Sequence, residues 1–397
     1  MQAPIYLDNH ATTPVDERVL KRMLPYFREK FGNAASRQHA WGWRAEEAVE
    51  HARSQVAALI GGTPREVIFT SGATEANNLA ILGAARAYAS KGRHIVTQAT
   101  EHKAVLDPCR VLEKQGYSLT VLDVDRTGCV DPEQLRAALR PETTLVSIMF
   151  ANNEIGTLQP LADIGGICRE HGAVFHVDAA QGQATNAVDV QAMQIDMLSV
   201  SAHKMYGPQG VGALYVRRRN PRVRLQPIIH GGGHERGWRS GTLNVPGIVG
   251  LGAAADLARS ERQAEATRIA TLRDQLWTHL RTQLEDIHVN GPSTQQRMPG
   301  NLHVSVAGVE GEALLLDLRD LAISSGAACT TASLEPSHVM RAIGLPDELA
   351  SSSVRFGLGR FTTAEDIERA ADRFVTSVQK LRARGPKGRG TARQAAG

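Results

Sequence analysis

Cysteine is scarce in this chain, four among 397 residues. The four, Cys109, Cys129, Cys168 and Cys329, include no CxxC pair. That spacing excludes zinc-ribbon and dithiol redox motifs, and it offers no disulfide framework. The N-terminus lacks a basic start followed by an apolar run, so no secretory signal is expected. Long apolar runs are missing too. The richest, 246-PGIVGLGAAADLA-258, falls short of a membrane span. No internal repeat is visible. Net positive charge is also missing outside one place. The net charge is +4, yet 380-KLRARGPKGRGTARQAAG-397 alone holds six Lys and Arg and no acid, so without those six the rest carries −2. A basic nucleic-acid-binding body is therefore not expected, nor is direct nucleic-acid binding. The basic tail, 385–397, reads as disordered. Apolar residues make up 42% and charged residues 22%, ordinary for a globular chain. A reducing, cytoplasmic setting fits, one in which a reactive thiol survives.

Strand-like and helix-like runs alternate through the first part of the chain. Strands are expected at 66–70, 93–98, 118–124, 144–150, 173–178, 196–201 and 211–217. Several are apolar on successive residues, as strands covered on both faces tend to be. Between them lie amphipathic helices at 43–60, near 75–90, and at 102–116, 132–139 and 161–171. This is an α/β, three-layer arrangement around a mostly parallel sheet. After Pro246 the pattern changes. A helical stretch over 249–284 is long enough that a bend or break is expected. Strands at 301–307, 320–325 and 353–359 follow, and then a helix over 363–383 capped by Thr362 and Thr363. The organisation expected is a large α/β domain over 16–250 and a smaller α+β domain from 1–15 and 251–384.

Chemistry concentrates at strand ends. The segment 197-MLSVSAHKMYGPQGVG-212 ends an apolar strand on Ser201, His203 and Lys204. An apolar strand upstream, 173-AVFHVDAAQ-181, ends on Asp178. A lysine amine can hold an aldehyde as a Schiff base, and a buried carboxylate can keep a pyridine nitrogen protonated. Together these are the two anchors of a pyridoxal phosphate site. Each has a bland alternative, a solvated lysine and a helix cap, but an unpaired carboxylate ending an apolar strand would be costly. Gln181 can reach the ring hydroxyl. In 70-TSGATEANN-78 a glycine turn opens a helix, and Gly72, Ala73 and Thr74 would present free N–H groups to a phosphate. Taken alone, that turn is equally a simple helix cap. His102, opening a helix in 98-QATEHKAV-105, suits stacking on the ring and moving protons, or merely a cap. Asn152 and Asn153 suit a ring oxygen or a substrate carboxylate, or a polar turn. Ligands of open α/β sheets gather at such strand ends.

The quoted segments, with 6-YLDNHATTPVD-16, 231-GGGHERGWRSGT-242, 324-SSGAACTTASLEPSHVMRA-342 and 354-VRFGLGRFTT-363, carry a family resemblance. The chain resembles a group I cysteine desulfurase, the nitrogen-fixation and iron–sulfur assembly type, within the class V aminotransferases. The resemblance spans Tyr6 to about Thr363. It implies the PLP-dependent transferase fold (fold type I) and a sulfurtransferase that converts L-cysteine to L-alanine. It also implies a persulfide on Cys329, destined for a sulfur-acceptor protein. By family role Lys204 would carry the cofactor's aldehyde, and Asp178 would face the pyridine nitrogen. Gln181 would contact the ring hydroxyl, and His102 would stack and assist proton transfer. Thr74, Ser201 and His203 would bind phosphate, while Asn153 and Arg355 would hold the substrate carboxylate. Thr242 would reach the phosphate of a neighbouring subunit, which implies a homodimer. The chain departs from the family pattern at Trp238, where a smaller residue is expected. It also departs at its C-terminus, where a basic Gly/Arg tail replaces a more hydrophobic scaffold-docking end.

Rival readings differ at the thiol. An aminotransferase needs no cysteine, so the SSGAAC context of Cys329 argues against it. A selenocysteine lyase is separated only by comparing substrates. A scaffold or nucleic-acid adaptor has no use for Lys204, Asp178 and Cys329 together. The sulfur's destination stays open among iron–sulfur clusters, tRNA thiolation and DNA phosphorothioation.

Overall fold

The protein is described by a computed structural model covering residues 4–325 and 337–384. Cys329 and the basic tail lie outside the described residues. An N-terminal strand, Ile5–Tyr6 (β1), precedes seven strands that form one sheet. These are Val67–Thr70 (β2), His94–Gln98 (β3), Ser118–Leu122 (β4), Thr143–Ser147 (β5), Val174–Asp178 (β6), Met197–Ser201 (β7) and Gly212–Val216 (β8). Their order is β2-β8-β7-β6-β5-β3-β4. All neighbouring pairs are parallel except those of β8, which runs antiparallel to β2 and to β7. Apart from β8, the strands therefore end on one edge of the sheet.

The unbroken apolar runs have a direct explanation. Along each strand, alternate residues enter different hydrophobic cores. Phe69, Val96, Val146, Phe175, Leu198 and Ala213 join one, and Ile68, Ile95, Leu145, Val174, Met197 and Leu214 the other. Both faces are covered, and polar residues within the central strands, such as His94, Thr97, His176 and Ser199, are buried and hydrogen-bonded. Helices Ala40–Ile60, Ala73–Ala87, Lys103–Lys114 and Leu161–His171 supply the cover, each with its apolar stripe buried. Gly212 is required where β8 passes the turn after β2. A Cβ there would stand 2.5 Å from Val200 O and 2.7 Å from Gly72 Cα.

Five more strands follow: Ile287–Val289 (β9), Asn301–Val306 (β10), Leu321–Ala322 (β11), Ser324–Ser325 (β12) and Ser353–Gly357 (β13). An antiparallel sheet of order β12-β13-β10-β9 packs on helix Ala364–Arg384 through Leu302, Val304, Phe356 and Phe374. The helix begins where the threonines indicated, with Thr363 Oγ1 accepting from Asp366 N at 3.1 Å.

Two expectations need correction. The run 320–325 is not one strand. β11 pairs in parallel with β1, while β12 joins β13, so the chain changes sheets at Ile323. The long helical stretch does not break either. Val245–Gln283 is one helix of 39 residues, about 58 Å long at the usual rise. Its first half, including Ile248, Leu251 and Ala254, is buried in the core under the large sheet. Its second half, including Ile269, Leu272, Leu276 and Leu280, is buried in the core of the antiparallel sheet. Each half is held in its own core, and the helix runs on through the largely exposed stretch between Ala258 and Glu265.

Candidate active site

The strand ends open into a cavity of about 640 Å³. Gly72 to Thr74 enter it after β2, His102 after β3, Asn153 after β5, Asp178 and Gln181 after β6, and Ser201, His203 and Lys204 after β7. Arg355 arrives from β13, and Asp8, His10 and Ala11 from the segment after β1. The cavity thus unites Thr74, His102, Asn153, Asp178, Gln181, Ser201, His203, Lys204 and Arg355. Thr242 does not join them. It is exposed on the single chain, away from the cavity lining. Cys329 lies outside the described residues.

At one end Gly72 takes φ 152°, a conformation that favours glycine, and a Cβ there would meet open space. The first helical hydrogen bond after it is Ala76 N to Gly72 O, 3.1 Å. The amides of Ala73, Thr74 and Glu75 therefore precede the helical ladder and are oriented for an anion. Glu75 would oppose one, but Arg239 Nε donates to its Oε1 at 2.8 Å, and Ser71 N donates to its Oε2 at 2.9 Å. Across from this turn, His203 Nδ1 meets Thr12 Oγ1 at 3.0 Å. Burial, reinforced by Lys204, lowers the His203 imidazole to about 4, so it is neutral near pH 7.

Asp178 is buried, and both oxygens accept from amides. Asn77 Nδ2 donates at 2.7 Å and Ala180 N at 2.9 Å. Sequence reasoning missed Asn77, which sits fully buried on the apolar face of helix Ala73–Ala87. A polar residue on that stripe was the available signal. Glu101 was also missed. Its Oε1 accepts from Gln98 Nε2 at 3.0 Å and from Met149 N at 2.5 Å. Burial, then the negative charge of Asp178, pushes its carboxyl well above the usual range. Near Asp178 there is thus a second buried carboxyl, Glu101, held toward the neutral form of Glu101 itself.

Lys204 Nζ donates to His10 O and, at 2.8 Å, to Ala11 O. Gln181 Nε2 also donates to His10 O, 2.8 Å. The segment 8–13, whose residues had no assigned role, is therefore a strap across the site. His102 is a helix cap whose ring faces the cavity. Its Nδ1 accepts from Ala104 N at 3.1 Å as a helix cap, and its ring is exposed to the cavity. With Nδ1 accepting, the neutral ring carries its proton on Nε2.

Arg355 is buried. Its Nη1 donates to Asn153 O at 2.8 Å, and its Nη2 to Asp8 Oδ1 at 2.7 Å and to Ser324 Oγ at 3.1 Å. Nε is buried without a partner among the described residues. Asn153 thus meets the arginine through its carbonyl. Asn152 is the polar turn the bland reading described, with Oδ1 accepting from Glu154 N and Ile155 N. Of the described cysteines, Cys109 and Cys168 are buried. Burial pushes the Cys109 thiol up to about 12, and it raises Cys168 and Cys129 as well. None of the three is poised as a thiolate.

The residues fit a pyridoxal phosphate. The cavity has an amide cradle at one end and an acid backed by amides deeper in. It also has a lysine amine and, among the described residues, three buried lining atoms without partners, His10 Nε2, Asn77 Oδ1 and Arg355 Nε. Comparison with known proteins agrees. The profile of the family described as aminotransferase class-V matches residues 5–370. A cysteine desulfurase IscS of Anaeromyxobacter dehalogenans (strain 2CP-C) is 59% identical over 386 residues, 97% of this chain and 95% of that protein. Among solved structures, a NifS-like protein superposes with a TM-score of 0.88 at 36% identity, covering 95% of this chain and 100% of its own. SspA in complex with cysteine superposes with a TM-score of 0.80 at 38% identity, covering 90% of this chain and 99% of its own. With this cavity on this sheet, the chain belongs to the class-V aminotransferase family as a group I cysteine desulfurase.

Proposed function

We propose that this pyridoxal-phosphate-dependent enzyme removes sulfur from L-cysteine with the cavity residues in the following roles. The observation that carries the reading is the convergence of Lys204, Asp178, the Gly72–Thr74 turn and Arg355 on one cavity. The phosphate would rest on the amides after Gly72, with Thr74, Ser201 and His203. Asp178 would face the pyridine nitrogen, Gln181 and Asn153 the ring oxygen, and Lys204 would carry the aldehyde. When bound, the cofactor supplies an electron sink for charge developing at the substrate's α-carbon.

The chain's own groups do the rest. Arg355 binds the α-carboxylate, for which its planar fork is suited. Lys204, released by the incoming amine, moves the α-proton, and His102 Nε2 is the second proton carrier. Cys329 takes the sulfur atom. Its sulfur bonds to that of the substrate as the carbon–sulfur bond breaks, leaving a persulfide on the protein, and the carbon skeleton departs as L-alanine. The buried, raised thiols of Cys109 and Cys168 are unsuited to this role.

The same reading gives a homodimer in which Thr242, exposed on one chain, reaches the partner's phosphate end. It gives a sulfur-acceptor protein as the next partner, with iron–sulfur assembly the destination suggested by the IscS relatives. Among the described residues no helix is long and apolar enough to cross a membrane, and the free thiols suit a reducing, cytoplasmic compartment. The test is paired. Cys329→Ser is expected to abolish alanine release from L-cysteine with the cofactor spectrum intact. Borohydride reduction followed by peptide mapping is expected to label Lys204. Alanine at the wild-type rate in the variant, or a label on another lysine, refutes the assignment. Light scattering that finds a stable cofactor-loaded monomer refutes the dimer.

A further inference from the structure

Arg355 already has an anion. Asp8 Oδ1 accepts from its Nη2 at 2.7 Å and from Ser324 Oγ at 2.9 Å, and Ser324 Oγ accepts from the same Nη2 at 3.1 Å. The ion pair is largely withdrawn from water, with side-chain exposures of 6% for Arg355 and 19% for Asp8. Two acceptors thereby engage Nη2, and one hydrogen of Nη1 goes to Asn153 O. Nε is buried with no partner among the described residues. All three side chains, Asp8, Ser324 and Arg355, line the cavity.

A carboxylate docks on guanidinium best through two parallel hydrogen bonds. The edge that offers the vacant donor is the one formed by Nε and Nη2. A ligand on that edge completes its second bond by competing for Nη2 with Asp8 and Ser324. It must also approach the Asp8 carboxylate, in a site where screening by water is weak. Without a ligand the same carboxylate neutralises Arg355, whose buried charge would otherwise be costly. The backbone keeps Asp8 in place. Leu7 N bonds to Ala322 O at 2.9 Å and Asn9 N to Gly357 O at 3.0 Å, so the residue is fixed to β11 and β13 on both sides.

We propose that Asp8 is a positioning residue that sets substrate affinity: it is the resident counter-ion of Arg355, exchanged on Nη2 for the substrate's α-carboxylate and restored when the product leaves. The proposal rests on Arg355 being the carboxylate ligand. Its consequence is a site tuned for release, because each bound carboxylate is opposed by the one it replaces.

The experiment uses the holoenzyme and 3-mercaptopropionate under reducing conditions. This probe has the carboxylate and thiol of cysteine but no amine, so it cannot displace Lys204. Binding is measured by calorimetry for wild type, Asp8→Asn, Asp8→Glu and Arg355→Gln, with thermal melts to establish folding. Asp8→Asn keeps the shape and removes the charge, and it is expected to tighten the probe on the order of tenfold. Its KM for L-cysteine is expected to fall without a rise in kcat. Asp8→Glu keeps the charge and is expected to bind the probe no tighter than wild type. Unchanged or weaker binding in Asp8→Asn, with binding lost in Arg355→Gln, overturns the proposal while leaving Arg355 as the ligand. Tightening in Asp8→Glu overturns it too, and suffices if Asp8→Asn does not fold. Undiminished binding in Arg355→Gln removes the premise itself, and the proposal falls with it.

Discussion

Severing the ion pair between Arg53 and Glu235 is expected to destabilise the enzyme far more than a surface salt bridge would. Arg53 Nη1 donates to Glu235 Oε2 and Nη2 to Oε1, both at 2.8 Å, with side-chain exposures of 4% and 2%. Two backbone groups of β2 are tied into the pair. Val67 O accepts from Arg53 Nη1 and Phe69 N donates to Glu235 Oε2, each at 2.8 Å. Glu235→Ala leaves a buried cation whose remaining counter-ion is the half-exposed Glu50, 2.9 Å from Nε, a loss of about 3 kcal/mol, the low end of the range for an uncompensated charge. It also strands the Phe69 amide, adding about 1–3 kcal/mol where water does not reach it. Arg53→Ala is expected to cost a similar amount. The double variant removes both charges and should cost clearly less than the sum, a coupling of at least about 2 kcal/mol. The assay is urea unfolding of the holoenzyme followed by circular dichroism and tryptophan fluorescence. Coincident transitions license the free energies. Additive single effects, or a loss below about 1 kcal/mol as exposed pairs give, would refute the reasoning. A functional loss is expected as well. Glu235 and Arg236 hold positive φ values of 46° and 61°, and the bidentate grip fixes that strained turn seven residues before Thr242.

Three further outcomes follow from the described geometry. Glu101 is raised by burial and by Asp178, so its stabilising contribution is present below the unfolded value near 4.5 and is lost as pH rises toward the folded value. Glu101→Gln should therefore gain stability relative to wild type between pH ~5 and pH ~8, and a difference in urea midpoints that shrinks over that span would contradict the assignment. Gly212→Ala forces a Cβ to 2.5 Å from Val200 O, which should cost about 1–3 kcal/mol and weaken cofactor retention, read as the free cofactor after gel filtration. Ending the chain at Gly385 should leave cysteine turnover unchanged, because the cavity is lined by residues up to Arg355. A large loss of turnover would place the tail in the active site or its assembly.

The site was legible to different depths for reasons that can be named. Lys204 and Asp178 could be found because a charged residue ending a buried strand is conspicuous, and the fold places both in the cavity. The Gly72 turn was ambiguous because a helix cap and an anion cradle have the same local chemistry. Asn77 and Glu101 went unnoticed for a related reason. Both are polar residues beside apolar ones, and only the packing shows that each is fully buried against the Asp178 pocket. The strap over 8–13 was out of reach, since His10 O meets Lys204 and Gln181 across more than 170 positions of sequence, as the separations of 194 and 171 record. The split of 320–325 depends on β1 and β13 as partners, which no local pattern encodes. Residue roles such as that of Thr242 came from family resemblance, and a single chain leaves that threonine exposed.

The unbroken Val245–Gln283 helix has a mechanical consequence. Lys204 belongs to the sheet that its first half underlies, and Arg355 to the sheet packed on its second half. One α-helix is thus a common beam for the two groups that must grip opposite ends of a small amino acid. A beam hydrogen-bonded at every turn resists a hinge, because folding it would sacrifice several backbone bonds at once. Adjustments of the lysine-to-arginine spacing must then come from small rolls of each core against the helix surface, movements of the shear kind. Inserting one residue at the exposed middle of the helix, near Arg259, would turn one core by about 100° relative to the other at 3.6 residues per turn. It should separate the two grips without damaging either core, leaving cofactor binding intact and cysteine turnover lost.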